Sequence, residues 1–450
     1  MRTRVLVLAT TLALLGLASM PTSQALAGPV PVELVQIPLG PGGFQSANIS
    51  YEGTLAFESP AVGARVVQLG AQKRLYVTTT KGLSVYDVTN PGLPLLLGTT
   101  AFYNWENEDL AVSPDGRWVL STEFTATAYT HIFEAITQPG GVVTFVPRDT
   151  VPLQANHTIS CVDPACDWAY GAEGDIWDLR NKSDIKTAGS WGGNGHDVTV
   201  DGAGLVWTDT SPIRALDVTD PRNPVLVAQS AAGSPVEYQH NNLRPFAADY
   251  EPRVTPEELA DPNYRPGEIL LVEGETNATV RCDGGNGSFG VYDLRKFDRP
   301  GAPKFKFAEV FEPVSGTYTN GDPAVNAMGC SGHWFDVSPL STHDKIITSN
   351  AWYDHGTRIL TIDGKTAKIS QVGFFQPVVG AASASYWIDN QYIYTVDYQR
   401  GIDILKFDPT AEVPTEAEFT ASWMAKAYAA KSVLGQIEQY ACRRAVLRTA

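Results

Sequence analysis

Gly82-Leu83-Ser84-Val85-Tyr86-Asp87-Val88-Thr89-Asn90-Pro91 reads as a short alternating strand that stops at an Asp-x-Thr-Asn-Pro turn. Ile213-Arg214-Ala215-Leu216-Asp217-Val218-Thr219-Asp220-Pro221 repeats it closely. Looser echoes run from Gly174 to Leu179, Phe289 to Leu294, Arg358 to Asp363 and Gly401 to Phe407. A unit that recurs in this way decides the fold before any single residue is considered.

The acidic positions that end the units are Asp87, Glu134, Asp178, Asp217, Asp293, Asp363 and Asp408. Most lie about 40–47 residues apart, the length of four strands with their turns. The two long intervals, Asp217 to Asp293 and Asp293 to Asp363, each hold one unit plus an insertion, with a Pro-rich stretch near residues 245 to 267. Ser113-Pro114-Asp115-Gly116 between apolar runs marks a hairpin in the second unit, whose outer strand is expected around His131-Ile132-Phe133. The spacing predicts an all-β chain, a seven-bladed β-propeller over residues 45–411. A strand from Asn48 to Phe57 would join the last blade and close the ring, removing exposed edges. After Pro414, a Thr415-x-x-Glu418 capping box and apolar residues at helical spacing predict a C-terminal amphipathic α-helix within residues 412–450. Packed on the propeller, it would be structural; otherwise it would bind a partner.

Tyr76 to Gly98, with Pro91 and Pro94, and Ile213 to Val227, with Pro221 and Pro224, resemble the LVIVD repeat of secreted bacterial β-propellers. The other units keep neither pair of prolines intact. The resemblance implies a propeller and no particular activity, because one fold hosts many functions.

Arg2 and Arg4, the apolar run from Val5 to Ala18 and Ala25-Leu26-Ala27 predict a cleaved signal peptide over residues 1–27, followed by an extended Pro/Gly-rich segment over residues 28–44. The expected location is secreted or extracytoplasmic, with no transmembrane segment. The formal charge of -16 argues against nucleic acid or anionic lipid as a partner. A small molecule, or a surface or protein partner, suits it better. Among the five cysteines, Cys161 and Cys166 bracket a turn-like loop and are the first pairing expected. Cys282 with Cys330 is the second, and Cys442 is left free or intermolecular. Export favours disulfides over a Cys-x4-Cys metal site.

Seven histidines occur in the chain, and four open successive units: Asn156-His157-Thr158, Gly195-His196-Asp197, Gln239-His240-Asn241 and Gly332-His333-Trp334. Glu108 takes the equivalent place in the second unit. If each unit's first strand is innermost, His157, His196, His240 and His333 converge near one end of the axis as a nitrogen-rich site for a transition metal. Glu106, Glu108 and Asp109 would support it, with Glu108 the candidate general base. Two other roles fit the same placement: each imidazole could bond a neighbouring unit's backbone, or serve metal-free acid–base chemistry. His355 is expected near the channel mouth and His343 in an exposed turn. Asp87, Asp217 and Asp293 are expected to hold turns. The Asp283-Gly284-Gly285-Asn286-Gly287-Ser288 loop could take calcium but lacks a calcium-loop spacing. No Gly-x-Ser-x-Gly elbow, P-loop or dinucleotide fingerprint is present. Two functions follow from this reading. One is an exported propeller with an axial metal or ligand site, acting as a metal-dependent enzyme on a small molecule. The other is a non-catalytic extracellular binding or cell-surface module.

Overall fold

A computed structural model describes residues 22–24, 26–39, 44–105, 107–123, 129–152, 157–232, 236, 238–275, 287–299, 304–313, 331–377 and 379–411. The 412–450 helix, the leader through residue 21, Glu106, Cys282, Cys330, Cys442 and Asp283-Gly284-Gly285-Asn286 of the glycine-rich loop lie outside these residues.

Strands of alternating Val, Ile, Tyr and Trp form seven antiparallel runs of four among the described residues, the fourth and fifth joined into one sheet by a parallel pairing of Gln229 and Ser230 with Lys304 and Phe305. Their first strands are Ala61–Leu69, Ala111–Val112, Ile159–Cys161, Val198–Val200, Tyr238–Leu243, Gly332–Val337 and Ala382–Trp387. Each first strand contacts the next in this order, and the last returns to the first. Residues from all seven line a single cavity of about 610 Å³. The first strands therefore surround a common axis. In the last unit the outer strand is Ile49–Leu55, paired along Gly401–Phe407.

The repeated sequence features have repeated physical causes. Asp87, Asp178, Asp217, Asp293, Asp363 and Asp408 each accept a hydrogen bond from the backbone N–H two residues on, at 2.8–3.2 Å. Each carboxylate thereby ends its strand in an Asx turn. Glu134 departs from the pattern and instead pairs with Arg117 and Arg148. Gly82 has φ +152° and sits where a Cβ would strike the Thr100 carbonyl of the outer strand; Gly401, with φ +111°, is placed the same way against Leu55. Only glycine accommodates both the backbone angle and the close approach.

Tyrosines of the second strands tie neighbouring units together. The Tyr76 hydroxyl donates to Gly116 O at 2.8 Å, Tyr170 to Pro221 O at 2.6 Å and Tyr394 to Pro91 O at 2.6 Å. In each case the acceptor lies in a turn of the following unit. Between the sheets the cores are apolar, with Trp177, Trp207 and Trp352 fully buried.

Three details differ from the sequence reading. His131 belongs to the third strand of its unit, Tyr129–Thr137, and the outer strand is Val143–Pro152. The apolar run at 131–133 packs inside, and a second, more polar strand covers it. The segment before residue 45 also pairs with sheet edges: Val30–Pro31 with Leu95 and Leu96, and Phe44–Gln45 with Phe375 and Gln376. Thr22–Gln24 pairs with Thr99–Ala101, so cleavage after Ala27 would remove that edge strand and leave the later pairs. The Pro-rich insertion carries a one-turn helix, Pro256–Ala260, whose Thr255–Glu258 capping box is complete. A buried Arg253–Glu268 ion pair anchors it.

Tyr394→Phe leaves the Pro91 carbonyl without its partner inside the joint between the last and first units. The expected loss is about 1–2 kcal/mol of unfolding free energy, read from urea denaturation; Tyr392→Phe, on a partly exposed ring, serves as the near-silent control.

Candidate metal centre on the ring axis

Glu108 lies at the centre of a buried cluster. Its Oε2 is 3.1 Å from His240 Nε2 and 3.3 Å from His196 Nε2; its Oε1 is 3.3 Å from His333 Nε2. His157 joins from the adjacent unit, its ring 4.9 Å from that of His196. The His196 and His240 ring centroids are 3.6 Å apart and those of His240 and His333 3.9 Å. The structure thus brings together all four histidines that open units three to six. It places Glu108 inside the imidazole group and not behind it.

The local backbone explains why these side chains meet. In unit five the pairing slips between Gln239 and Asn241, and in unit six between Gly332 and Phe335, so His240 and His333 sit in β-bulges. A bulge leaves its extra residue out of the ladder and re-aims its side chain. The last unit has the same irregularity between Ala382 and Ala384. That frees the Ser383 carbonyl, which lies 2.7 Å from His333 Nδ1. A carbonyl only accepts, so Nδ1 carries a proton, and Nε2 faces Glu108. His333 therefore bonds a neighbouring unit's backbone and presents its other nitrogen to the cluster, two roles that the sequence left as alternatives.

Charges in the cluster are strongly interdependent. Burial pushes the Glu108 carboxyl up, but the charge of His333 and bonds from His196, His240 and His333 outweigh it and hold the group well below the usual carboxylate range. Burial, and then His196 and His333, push His240 well below an ordinary imidazole. Burial also opposes charge on His333, yet Glu108, Glu275 and the Ser383 carbonyl together raise it.

Glu275, which sequence reasoning missed, completes the group. It lies 3.9 Å from His240 Nε2 and 4.0 Å from His333 Nε2. Tyr353 donates to Glu275 at 2.9 Å and Tyr398 to Glu108 at 3.3 Å. The available signal was the run Ile269–Glu275, an entirely buried strand that carries two carboxylates. Three overlapping sets have the spacing of metal ligands: Glu108, His240 and His333; Glu108, His157 and His196; and His196, His240 and Glu275. Two ligands each about 2.1 Å from one cation sit about 3.0–3.4 Å apart at octahedral or tetrahedral angles, the range of the Glu108–imidazole separations. The cluster is not sealed: His157 is half-buried, and Tyr238, whose ring lies 5.7 Å from His196, is 47% exposed.

His355 is fully buried in the short helix Tyr353–His355. His343 is exposed and 3.1 Å from Asp249. Cys161 and Cys166 form a disulfide. No helix among the described residues is long and apolar enough to cross a membrane.

No protein-family model matches the chain. No curated protein matches it either. Solved structures do. A periplasmic gluconolactonase of Pseudomonas aeruginosa is 10% identical, with 79% of this chain and 94% of that one aligned at a TM-score of 0.52. A protein from Lactobacillus plantarum is 11% identical, with 76% and 95% aligned at 0.52. The β-propeller domain of Cps50 (Swd1) from Myceliophteria thermophila is 12% identical, with 81% and 100% aligned at 0.48. At such identities the likeness is one of fold: an all-β chain with β-propeller neighbours.

Glu108→Ala leaves buried imidazoles without their carboxylate. In metal-free protein it is expected to cost about 3 kcal/mol of stability or more, measured by urea unfolding in the presence of a chelator.

Proposed function

We propose that the chain is an exported, seven-bladed, LVIVD-type propeller over residues 45–411 that holds one transition-metal ion on its axis. His157, His196, His240, His333 and Glu108 are its ligands, and Glu275 is a further carboxylate within reach. The observation that carries the reading is at His333. Its Nδ1–H is committed to Ser383 and its Nε2 faces a carboxylate oxygen at 3.3 Å, so in the neutral, metal-binding form of the ring the Nε2 lone pair is aimed at that oxygen. Two lone pairs at that distance repel unless a cation lies between them. A proton on His333 would satisfy that one pair. It would not explain why three more imidazoles crowd the same carboxylate, their rings as close as 3.6 Å. Neutral imidazoles, such as His240 is held to be, are the form that binds metal.

A metal with this donor set supplies Lewis-acid or redox chemistry to a small molecule. The protein's own part is to hold the carboxylate ionised, to fix the His333 tautomer through the Ser383 carbonyl, and to place the Tyr353 and Tyr398 hydroxyls where they hydrogen-bond the carboxylates. The Cys161–Cys166 disulfide, the predicted leader and a periplasmic gluconolactonase among the structural neighbours support an extracytoplasmic setting. Lactone chemistry does not carry over from that neighbour, because the likeness is of fold alone.

Elemental analysis of protein exported without a histidine tag tests the reading. About one transition-metal ion per chain is expected. His196→Ala and His333→Ala should lose it while keeping their far-ultraviolet circular dichroism. Folded wild-type protein that takes up no iron, copper, zinc or manganese would leave a non-catalytic binding module as the function.

A further inference from the structure

Beneath the imidazole cluster lies the axial cavity of about 610 Å³. The two share a wall. Trp334 lines the cavity and packs edge-on against the His240 ring at 5.1 Å. Five carboxylates line it, those of Asp109, Asp163, Asp197, Asp201 and Asp336, and Arg65 is the only cationic side chain among the lining residues.

Three of these acids are already used. Asp163 accepts bonds from the backbone N–H groups of its own loop. Asp201 pairs with Arg244 at 2.8 Å. Asp336 accepts from the Val337 and Trp387 amides. The other two are not fully used. Asp109 is 3% exposed; its Oδ2 lies 3.3 Å from Arg65, and its Oδ1 has no hydrogen-bond partner. Asp197, 2% exposed, accepts from Thr199 through Oδ2. Burying a carboxylate oxygen without a donor is costly, so the Asp109 oxygen marks a place for one. Arg65, with a half-exposed side chain, stands at the edge of the group and pairs with Asp109. The aromatic residues Trp334, Phe335 and Tyr386 also line it.

A concave, acid-lined space with aromatic walls concentrates cations: the walls focus the field, ammonium N–H groups donate to carboxylates, and ring faces attract positive charge. We infer that the axial cavity binds a small organic cation, a protonated or quaternary amine, between Asp109, Asp197 and the rings of Trp334 and Tyr386. Anionic ligands are disfavoured by the same field, and a neutral polyol gains nothing from it. The inference concerns the cavity alone and holds whether or not the neighbouring cluster carries metal.

Isothermal titration calorimetry of the full exported chain, with and without chelator, tests it with 1,4-diaminobutane, choline, glucose and gluconate as probes. At least one of the two amines should bind in both conditions and weaken as salt is raised. Asp197→Asn should weaken it about tenfold or more. Arg65→Gln, at a half-exposed side chain, should tighten it, because it removes the cation that competes for Asp109. A purely structural role for these residues would produce no tightening. Failure of both amines to bind, equal or stronger binding of glucose or gluconate, or weaker amine binding in Arg65→Gln would overturn the proposal. Metal content measured on the same samples separates this outcome from the fate of the metal reading.

Discussion

Closure of the ring is the constraint on which everything else depends. The pairing of Ile49–Leu55 with Gly401–Phe407 joins the two ends of the chain's strand series in one sheet. Without it, the last meander would lack an outer strand, and Gly401–Phe407 would present an open edge. Tyr394 reinforces the joint by reaching Pro91 in the first unit. Once the ring is closed, every first strand has a neighbour on each side, and residues that open different units face one another across the axis.

That geometry makes the axial site affordable in physical terms. Six ionisable groups in a space from which water is largely excluded would be prohibitive if placed independently. Here each charge has a counterpart fixed by a rigid strand. Glu108 is held between three imidazoles from three units, and the Ser383 carbonyl, released by a bulge in a fourth, fixes the tautomer of His333. The bulges are central to the design: in a regular ladder Ser383 would point its carbonyl at its own sheet. On the other side of Trp334 the same ring arrangement gathers five carboxylates, with Arg65 the one cation among the lining residues and Arg244 paired to Asp201 from behind. The axis therefore carries two distinct environments, one rich in nitrogen and one acidic.

Much of this was legible in the residues. The Asp-x-Thr turns announced the repeat because each carboxylate does a local job that any copy of the unit needs, as Asp87 and Asp217 both show. The histidines were visible because they recur at one position of the unit, and rotation about an axis turns recurrence into proximity. Glu275 was not visible, because it ends a second strand and does not stand at the position that opens each unit. Neither was the role of Ser383, since a backbone carbonyl has no sequence signature and its release depends on a pairing slip set by neighbouring strands. The outer strand of the second unit was misplaced because the buried run at His131 to Phe133 is equally consistent with an inner or an outer strand until its covering strand is seen.

X-ray absorption spectroscopy at the edge of the metal carried by the exported protein tests the central claim most directly. The account predicts a nitrogen and oxygen shell at about 2.0–2.2 Å with the outer-shell scattering of several imidazoles, and loss of that imidazole signal in His240→Ala. A sulfur shell, or a hydrated ion without imidazole scattering, would contradict it.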